Sequence, residues 1–274
     1  MSKQLVLVGG GHAHMVTLAN LSAFIEKGYH VLGSVRDLEK GKNMEMELGD
    51  QFTPLLFDIR NTDQLKAAKA KVEEHLKGQT LTAIINNAGT AEIGPLLHVD
   101  PANFLEQLNI LVVGQLNVIQ HFYNFLIPKD SNEPVGKIYN ISSVSGKGSN
   151  YLFGCYAAGK HALEGMSKTL RKELRIYGID VVVVAPGNIA TAIWYKQTDQ
   201  HIDQYKDTIY YQPLKQTLNN IQTLTVANAM CTDSFSEAFF HIFKIKRPKR
   251  RYTIVKSKRR FNPFSQYRAR VFEW

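Results

Sequence analysis

The chain has 274 residues, a net charge of +9, 44% hydrophobic and 21% charged residues, a balance that excludes disorder, a collagen-like repeat and a disulfide scaffold. Its two cysteines, Cys155 and Cys231, form no Cys-x-x-Cys pair and have no histidine at ligand spacing; no metal site is expected, and the setting reads as reducing and cytoplasmic. Twelve of the 33 Lys and Arg residues lie in 244–274 with a single acid, so this stretch carries +11 and the remainder −2.

In chain order, strands are predicted at Leu5–Val8, His30–Val35, Thr53–Phe57, Ala83–Asn86, Val135–Ser142, Asp180–Val184 and Tyr252–Val255. Continuous apolar runs such as Val181-Val182-Val183-Val184 suit strands buried on both faces of a parallel sheet. Between them lie amphipathic stretches, among them Thr62–Leu76, Asn103–Leu126 and Ala157–Tyr177, with apolar residues at helical spacing. This alternation predicts a single α/β domain, a doubly wound Rossmann sheet of seven mostly parallel strands over 1–256, followed by a basic tail at 257–274. The four-residue apolar run near the N-terminus is too short for a signal-peptide core, and no segment approaches the roughly 18 apolar residues of a membrane span.

In such sheets ligands bind beyond the C-terminal ends of the strands, so the loops there hold the chemistry. Tyr156 and Lys160 are four apart on a helical stretch and share one face. An ammonium beside a phenol stabilises the phenolate, so Lys160 is expected to lower the Tyr156 pKa and make it a general acid/base. Thirteen residues upstream of Tyr156, the strand Ile138-Tyr139-Asn140-Ile141 runs into Ser142 and Ser143.

Asn-x-Ser-Ser, then Tyr-x3-Lys, with Asn86-Asn87-Ala88-Gly89 after an earlier strand and Pro186-Gly187-Asn188-Ile189-Ala190-Thr191 after a later one, resembles the short-chain dehydrogenase/reductase family over about residues 28–256. The resemblance implies hydride transfer between a nicotinamide and a carbonyl or alcohol. It implies that Ser143 bonds the substrate oxygen, that Tyr156 moves its proton, and that Lys160 holds the nicotinamide ribose. Asn86, Ala88 and Gly89 would line the adenosine side, Asp58 and Ile59 the adenine, and Pro186, Gly187, Ile189 and Thr191 the carboxamide. An acid at the end of the second strand would bind a free ribose 2′-hydroxyl, and an arginine beyond it a 2′-phosphate. Val35 holds the first place and Arg36 the second, with Asp37 next, which favours NADP(H) over NAD(H).

Two departures from the family pattern stand out. The first turn reads Gly9-Gly10-Gly11-His12-Ala13-His14-Met15-Val16: Gly10 matches the family, whereas His14 and Val16 replace its second and third glycines. Residues 4–25 also resemble the FAD-binding start of NADH dehydrogenase-like flavoproteins, though nothing downstream supports FAD, and His12 and His14 lack partner ligands for a metal. Leu111, three residues before Gly114, stands where the family has a catalytic asparagine that links the lysine to solvent. Asn109 is about 200° away on an ideal helix, so only a π-type bulge could bring it round.

After Thr191, an aromatic stretch from Trp194 and Tyr195 through Tyr205, Tyr210 and Tyr211 resembles a substrate lid, which favours a lipophilic carbonyl or secondary alcohol. The expected assembly is a homodimer or homotetramer through the helices at 103–126 and 156–177. The basic C-terminus could add a weak membrane-surface contact, and no nucleic acid is expected. The rival reading is a catalytically impaired scaffold protein or a chimera, on the evidence of His14, Val16 and Leu111.

Overall fold

The alternating pattern folds as alternating strands and helices. The computed structural model describes residues 4–9, 15–190, 202–221, 223, 228–256 and 269–273. The parallel strands are β1 (Leu5–Gly9), β2 (His30–Val35), β3 (Phe52–Leu56), β4 (Leu81–Asn86), β5 (Lys137–Ile141), β6 (Asp180–Pro186) and β7 (Arg251–Lys256), joined in the order β3-β2-β1-β4-β5-β6-β7. The helices are α1 (Met15–Glu26), α2 (Leu38–Leu48), α3 (Thr62–Leu76), α4 (Pro101–Leu108), α5 (Gly114–Phe122), α6 (Gly154–Glu173), α7 (Tyr211–Asn220) and α8 (Thr232–Phe243). An eighth strand, β8 (Ala269–Glu273), pairs antiparallel with β7 and lies within the stretch read from sequence as a tail. Its five residues include Arg270 and Glu273, and charges of this kind are common on edge strands, which mask the strand signal.

The period of two along each strand divides its side chains between two cores. From β1, Val6 and Val8 join Phe24, Tyr139, Val182, Phe235 and Phe239 on one face. Leu5 and Leu7 join Leu65, Val72, Ile119 and Phe122 on the other. On the first face α1 meets α8 through aromatic edges: Phe24 lies 4.7 Å from Phe243 and 5.5 Å from Phe240, ring centre to ring centre, contacts worth about 0.5–1.5 kcal/mol each beyond area burial. A third cluster, including Ile93, Leu152, Phe153, Tyr205, Leu214 and Leu218, packs against Tyr156.

The sheet order reverses between β1 and β4, where Gly9 is in register with Asn86. The chain after β4 is held there, since Asn87 and Ala88 both donate backbone N–H bonds to the Gly9 carbonyl, at 2.9 and 3.0 Å. Among the described residues no helix is long and apolar enough to cross a membrane.

Candidate active site

Three polar side chains converge beyond β5. The strand ends at Ile141, and Ser143 adopts extended backbone as the N-cap of a 3₁₀ turn, Val144–Gly146, its Oγ accepting from the Ser145 N–H at 3.1 Å. Tyr156 and Lys160 project from the first turns of α6, where the ammonium lies 5.6 Å from the centre of the phenol ring. The Ser143 hydroxyl lies close enough to the Tyr156 phenol to act on its proton. Lys160, 4% exposed, donates to the Ile141 carbonyl at 2.8 Å.

The electrostatics differ from the sequence expectation in one respect. Burial pushes the Tyr156 pKa up, opposed by the Ser143 hydroxyl, so the phenol is held protonated rather than drawn toward phenolate by Lys160. Burial also pushes Lys160 down to about 8, opposed by the Glu164 carboxylate. The ammonium is aimed at a carbonyl, and loss of water around both groups outweighs their mutual influence.

Glu164 was not singled out from sequence. It lies one turn beyond Lys160, is 3% exposed, and accepts from Ser142 Oγ at 3.1 Å and from Arg251 Nε at 2.9 and 3.0 Å. A Cβ at Gly146 would lie within van der Waals overlap of this carboxylate, so the glycine makes room for it. The signal was present: Glu164 sits on the buried stripe Lys160, Leu163, Ser167, an acid where the helical period calls for an apolar residue.

Leu111 packs against Gly159, beside Lys160. The chain does form a π-helix over Asn109–Val113, closed by the Gly114 N–H on the Asn109 carbonyl, yet this leaves Asn109 exposed and Leu111 fully buried. A Cβ on Gly159 would come within 2.7 Å of Leu111 Cδ1. Gly159, next to Lys160, therefore supplies the space that the leucine fills. The bulge does not restore an amide at this point.

The residues expected around a dinucleotide fall at the strand ends. Arg36 is exposed just past β2, close enough to Asp58 to help lower its pKa. Asp37 is committed elsewhere: it caps α2, accepting from the N–H groups of Glu39 and Lys40 at 3.0 and 3.3 Å, a contact worth about 1 kcal/mol. Asp58 is gripped by Arg60, whose hydrogen bond is the main cause of its lowered pKa, and Arg60 also bonds Glu106. Ile59 turns its side chain inward against Gly114.

Asn86, fully buried, donates to Asn140 Oδ1 at 2.9 Å, and Asn140 in turn donates to Ser167. Asn86 Oδ1 itself has no hydrogen-bond partner among the described residues and lies beside Gly9. Ala88 and Gly89 are half-buried, and Gln115 holds the Ala88 carbonyl at 2.6 Å. Pro186 ends β6, Gly187 donates to the Ile254 carbonyl at 2.8 Å, and Ile189 bridges to Met230. Gly10, His12, His14, Thr191, Trp194 and Tyr195 lie outside the described residues, as does the turn on which the FAD resemblance rested; Val16 lies on α1. Tyr205 is buried in the third cluster, its phenol pushed up to about 12 chiefly by burial, with Glu92 and Cys155 adding to the rise.

The arrangement thus provides a protonated hydroxyl, a second hydroxyl beside it and a buried amine, at the C-terminal mouth of a doubly wound sheet. Such a set can pass a proton, and this end of the strands is where doubly wound sheets bind their ligands. The residues on the adenosine side fit NADP(H): a cation waits past β2 and the neighbouring carboxylates are already engaged.

Comparison with known proteins agrees. Residues 5–202 match the family model described as short chain dehydrogenase. The NADPH-dependent 3-dehydrocapnine reductase of Ornithobacterium rhinotracheale is 30% identical over 241 residues, covering 87% of this chain and 83% of that protein. The 3-amino-tetrahydro-pyrrolizinone reductase of Xenorhabdus hominickii is 26% identical over 269 residues, 96% of this chain and 90% of that one. Among solved structures, a short-chain dehydrogenase from Streptomyces avermitilis is similar with a TM-score of 0.76 at 20% identity, covering 92% of this chain and 88% of that chain. A short chain dehydrogenase from Burkholderia cenocepacia in complex with NADP has a TM-score of 0.68 at 21% identity, covering 91% and 88%.

Proposed function

Because the chain belongs to the short-chain dehydrogenase family, we propose that it is an NADP(H)-dependent oxidoreductase interconverting a lipophilic carbonyl and the corresponding secondary alcohol. The observation that carries the reading is the convergence of Ser143, Tyr156 and Lys160, with the Lys160 ammonium 5.6 Å from the centre of the Tyr156 ring and anchored on the Ile141 carbonyl.

The bound nicotinamide would supply or accept the hydride. Arg36 would hold the 2′-phosphate, and Asn86, Ala88 and Gly89 would line the adenosine side, with Asp58 and Ile59 near the adenine. Gly10 would approach the pyrophosphate, and Pro186, Gly187, Ile189 and Thr191 would frame the carboxamide. In the reductive direction Tyr156 Oη gives its proton to the carbonyl oxygen as negative charge develops there, and its raised pKa keeps that proton in place beforehand. Ser143 Oγ, which already accepts from Ser145, keeps its own proton to donate to the same oxygen. Lys160 has three N–H donors and spends one on Ile141, which leaves two for the ribose hydroxyls and the Tyr156 oxygen. In the oxidative direction the Ser143 hydroxyl is what favours loss of the phenol proton.

The apolar cluster of Ile93, Leu152, Phe153 and Tyr205 against Tyr156 supports a lipophilic substrate. Exposed Leu105 and Val113 on the α4–α5 side support a homodimer or homotetramer, and free Cys155 and Cys231 suit the cytoplasm. The catalytic unit includes 1–256 together with β8, which pairs with β7, and the basic stretch 257–268 between them would be able to touch an anionic membrane surface. A second reading, a catalytically impaired scaffold of the same fold, is favoured by buried Leu111 alone.

Tyr156→Phe tests the leading reading. Turnover is expected to vanish, with NADPH affinity by fluorescence titration unchanged within a few-fold; binding lost together with turnover would refute the role given to Tyr156.

A further inference from the structure

A groove of about 870 Å³ lies along the second half of α6. Eight of the 16 residues lining it are Lys or Arg, and only Glu164 and Asp180 are acids. Both acids are already paired: Glu164 with Arg251, and Asp180 with Arg171 at 3.0 Å. Arg171 is further tied to the carbonyls of Val181 and Pro248, at 2.7 and 3.0 Å, which fixes the floor.

Besides Lys147, five further cations line the groove from two segments of the chain. Lys168, Lys172 and Arg175 form one wall, on consecutive turns of α6 and the 3₁₀ turn that follows it; Arg247 and Arg250, on the segment entering β7, form the other. All five are exposed, and none makes an ion pair among the described residues. Basic residues in the last turn of a helix complement its dipole, which accounts for the α6 wall. It does not account for two arginines brought to the groove by a different segment. Like charges on neighbouring helical turns and along one groove repel one another, a repulsion that a bound anion would relieve. The volume falls in the roughly 300–1,000 Å³ range of small-ligand sites.

We propose that this groove is a second binding site, separate from the active site, for an anion carrying clustered phosphoryl groups, contacted by guanidinium and ammonium groups from both walls. Arginine forks match phosphate oxygens two at a time, and cations from two segments allow more than one group on a ligand to be held. The same chemistry is offered by a soluble polyphosphate and by the headgroup of a phosphorylated lipid.

The test is isothermal titration of the full chain with inorganic tripolyphosphate at low salt, with and without saturating NADPH. Lys168→Gln/Lys172→Gln/Arg175→Gln and Arg247→Gln/Arg250→Gln remove the walls separately, at exposed positions that leave the cores intact. Arg36→Ala controls for the nucleotide site, and Lys258→Gln/Arg259→Gln/Arg260→Gln for the basic stretch 257–268. The expected result is one saturable site that persists with NADPH, weakens about tenfold or more with either wall removed, and is unchanged by the two controls. A silent titration, or a loss that follows Arg36 or the basic stretch instead of the walls, overturns the proposal whether or not the protein proves to be an oxidoreductase. Vesicles containing phosphatidylinositol phosphates form a second arm. Binding that depends on the walls assigns the site to a lipid headgroup, and tripolyphosphate binding without vesicle binding assigns it to a soluble anion.

Discussion

Lys160→Met separates the stability of this fold from its chemistry. Lys160 is buried, and its pKa of about 8 lies well below its ordinary 10.5. Between these values the unfolded chain binds more protons than the folded one, so the contribution of Lys160 to stability rises with pH across that window. Below pH 8 the folded protein carries the full cost of a buried ammonium, about 3 kcal/mol at ~1.4 kcal/mol per pKa unit. By pH 10 less than about 1 kcal/mol of that cost remains. Methionine has a similar length and no charge, so the variant should gain stability relative to the parent at pH 7 and lose that advantage by pH 10. The change across the window should be about 2–3 kcal/mol. Urea unfolding followed by circular dichroism, at one protein concentration and several pH values, reads this directly. Terms that do not titrate, such as the lost bond to the Ile141 carbonyl, shift the whole curve and leave its slope untouched. The raised phenols of Tyr139 and Tyr205 act on both proteins alike. A stability difference that stays flat from pH 7 to pH 10, or that grows, would refute the assignment of Lys160 as a buried charge held at thermodynamic cost for function.

Arg36→Ala should weaken NADPH binding by about tenfold or more, the worth of a charge-assisted phosphate contact, with NADH affinity unchanged in the same fluorescence titration. Leu111→Asn should raise turnover if the missing relay limits the rate, while lowering stability by about 1.5–3 kcal/mol for the apolar burial lost; a stability loss with no change in rate would remove the relay argument. Glu164→Gln leaves Arg251 buried without a counter-charge and should cost about 3–5 kcal/mol, most of it recovered in Glu164→Gln/Arg251→Met. In turnover measurements the same Glu164→Gln change should move the Lys160-dependent limb of the pH profile to lower pH, since Glu164 is what opposes the effect of burial on Lys160.

Strands such as β6 were legible because they are short β-branched runs buried on both sides. The helix over Thr62–Leu76 was legible to the residue, since its apolar positions Leu65, Ala68, Val72 and Leu76 repeat at helical spacing. The π-helix over Asn109–Val113 was not, because a change from i→i−4 to i→i−5 bonding leaves apolar periodicity nearly intact over five residues. β8 was hidden by its charges. At the site, Ser143, Tyr156 and Lys160 were recognisable from type and spacing, and the structure brings them together. The direction of the Tyr156 shift was not, because spacing tells that an ammonium is near but not that a carbonyl has captured it or how much water has been lost. The ambiguity between Arg36 and Asp37 was also a matter of geometry. Both are adjacent to the strand end in sequence, and only the capping of α2 shows that the Asp37 carboxylate is turned toward Glu39 and Lys40.

Leu111 and Gly159 are better understood as a pair than as one lost residue. An amide at 111 would have offered hydrogen bonds near Lys160; a leucine offers none, and it reaches full burial only because the residue beside Lys160 has no side chain. The leucine therefore packs closely against the turn that presents Lys160. Among the described residues, Lys160 is connected to the Ile141 carbonyl, the Tyr156 ring and the field of Glu164. Glu164 in turn faces the basic groove beside Arg251. If proton supply limits turnover, substitutions at Glu164 and at Leu111 should be non-additive in the rate, because both act on the same ammonium, whereas Arg36→Ala should combine with either one additively.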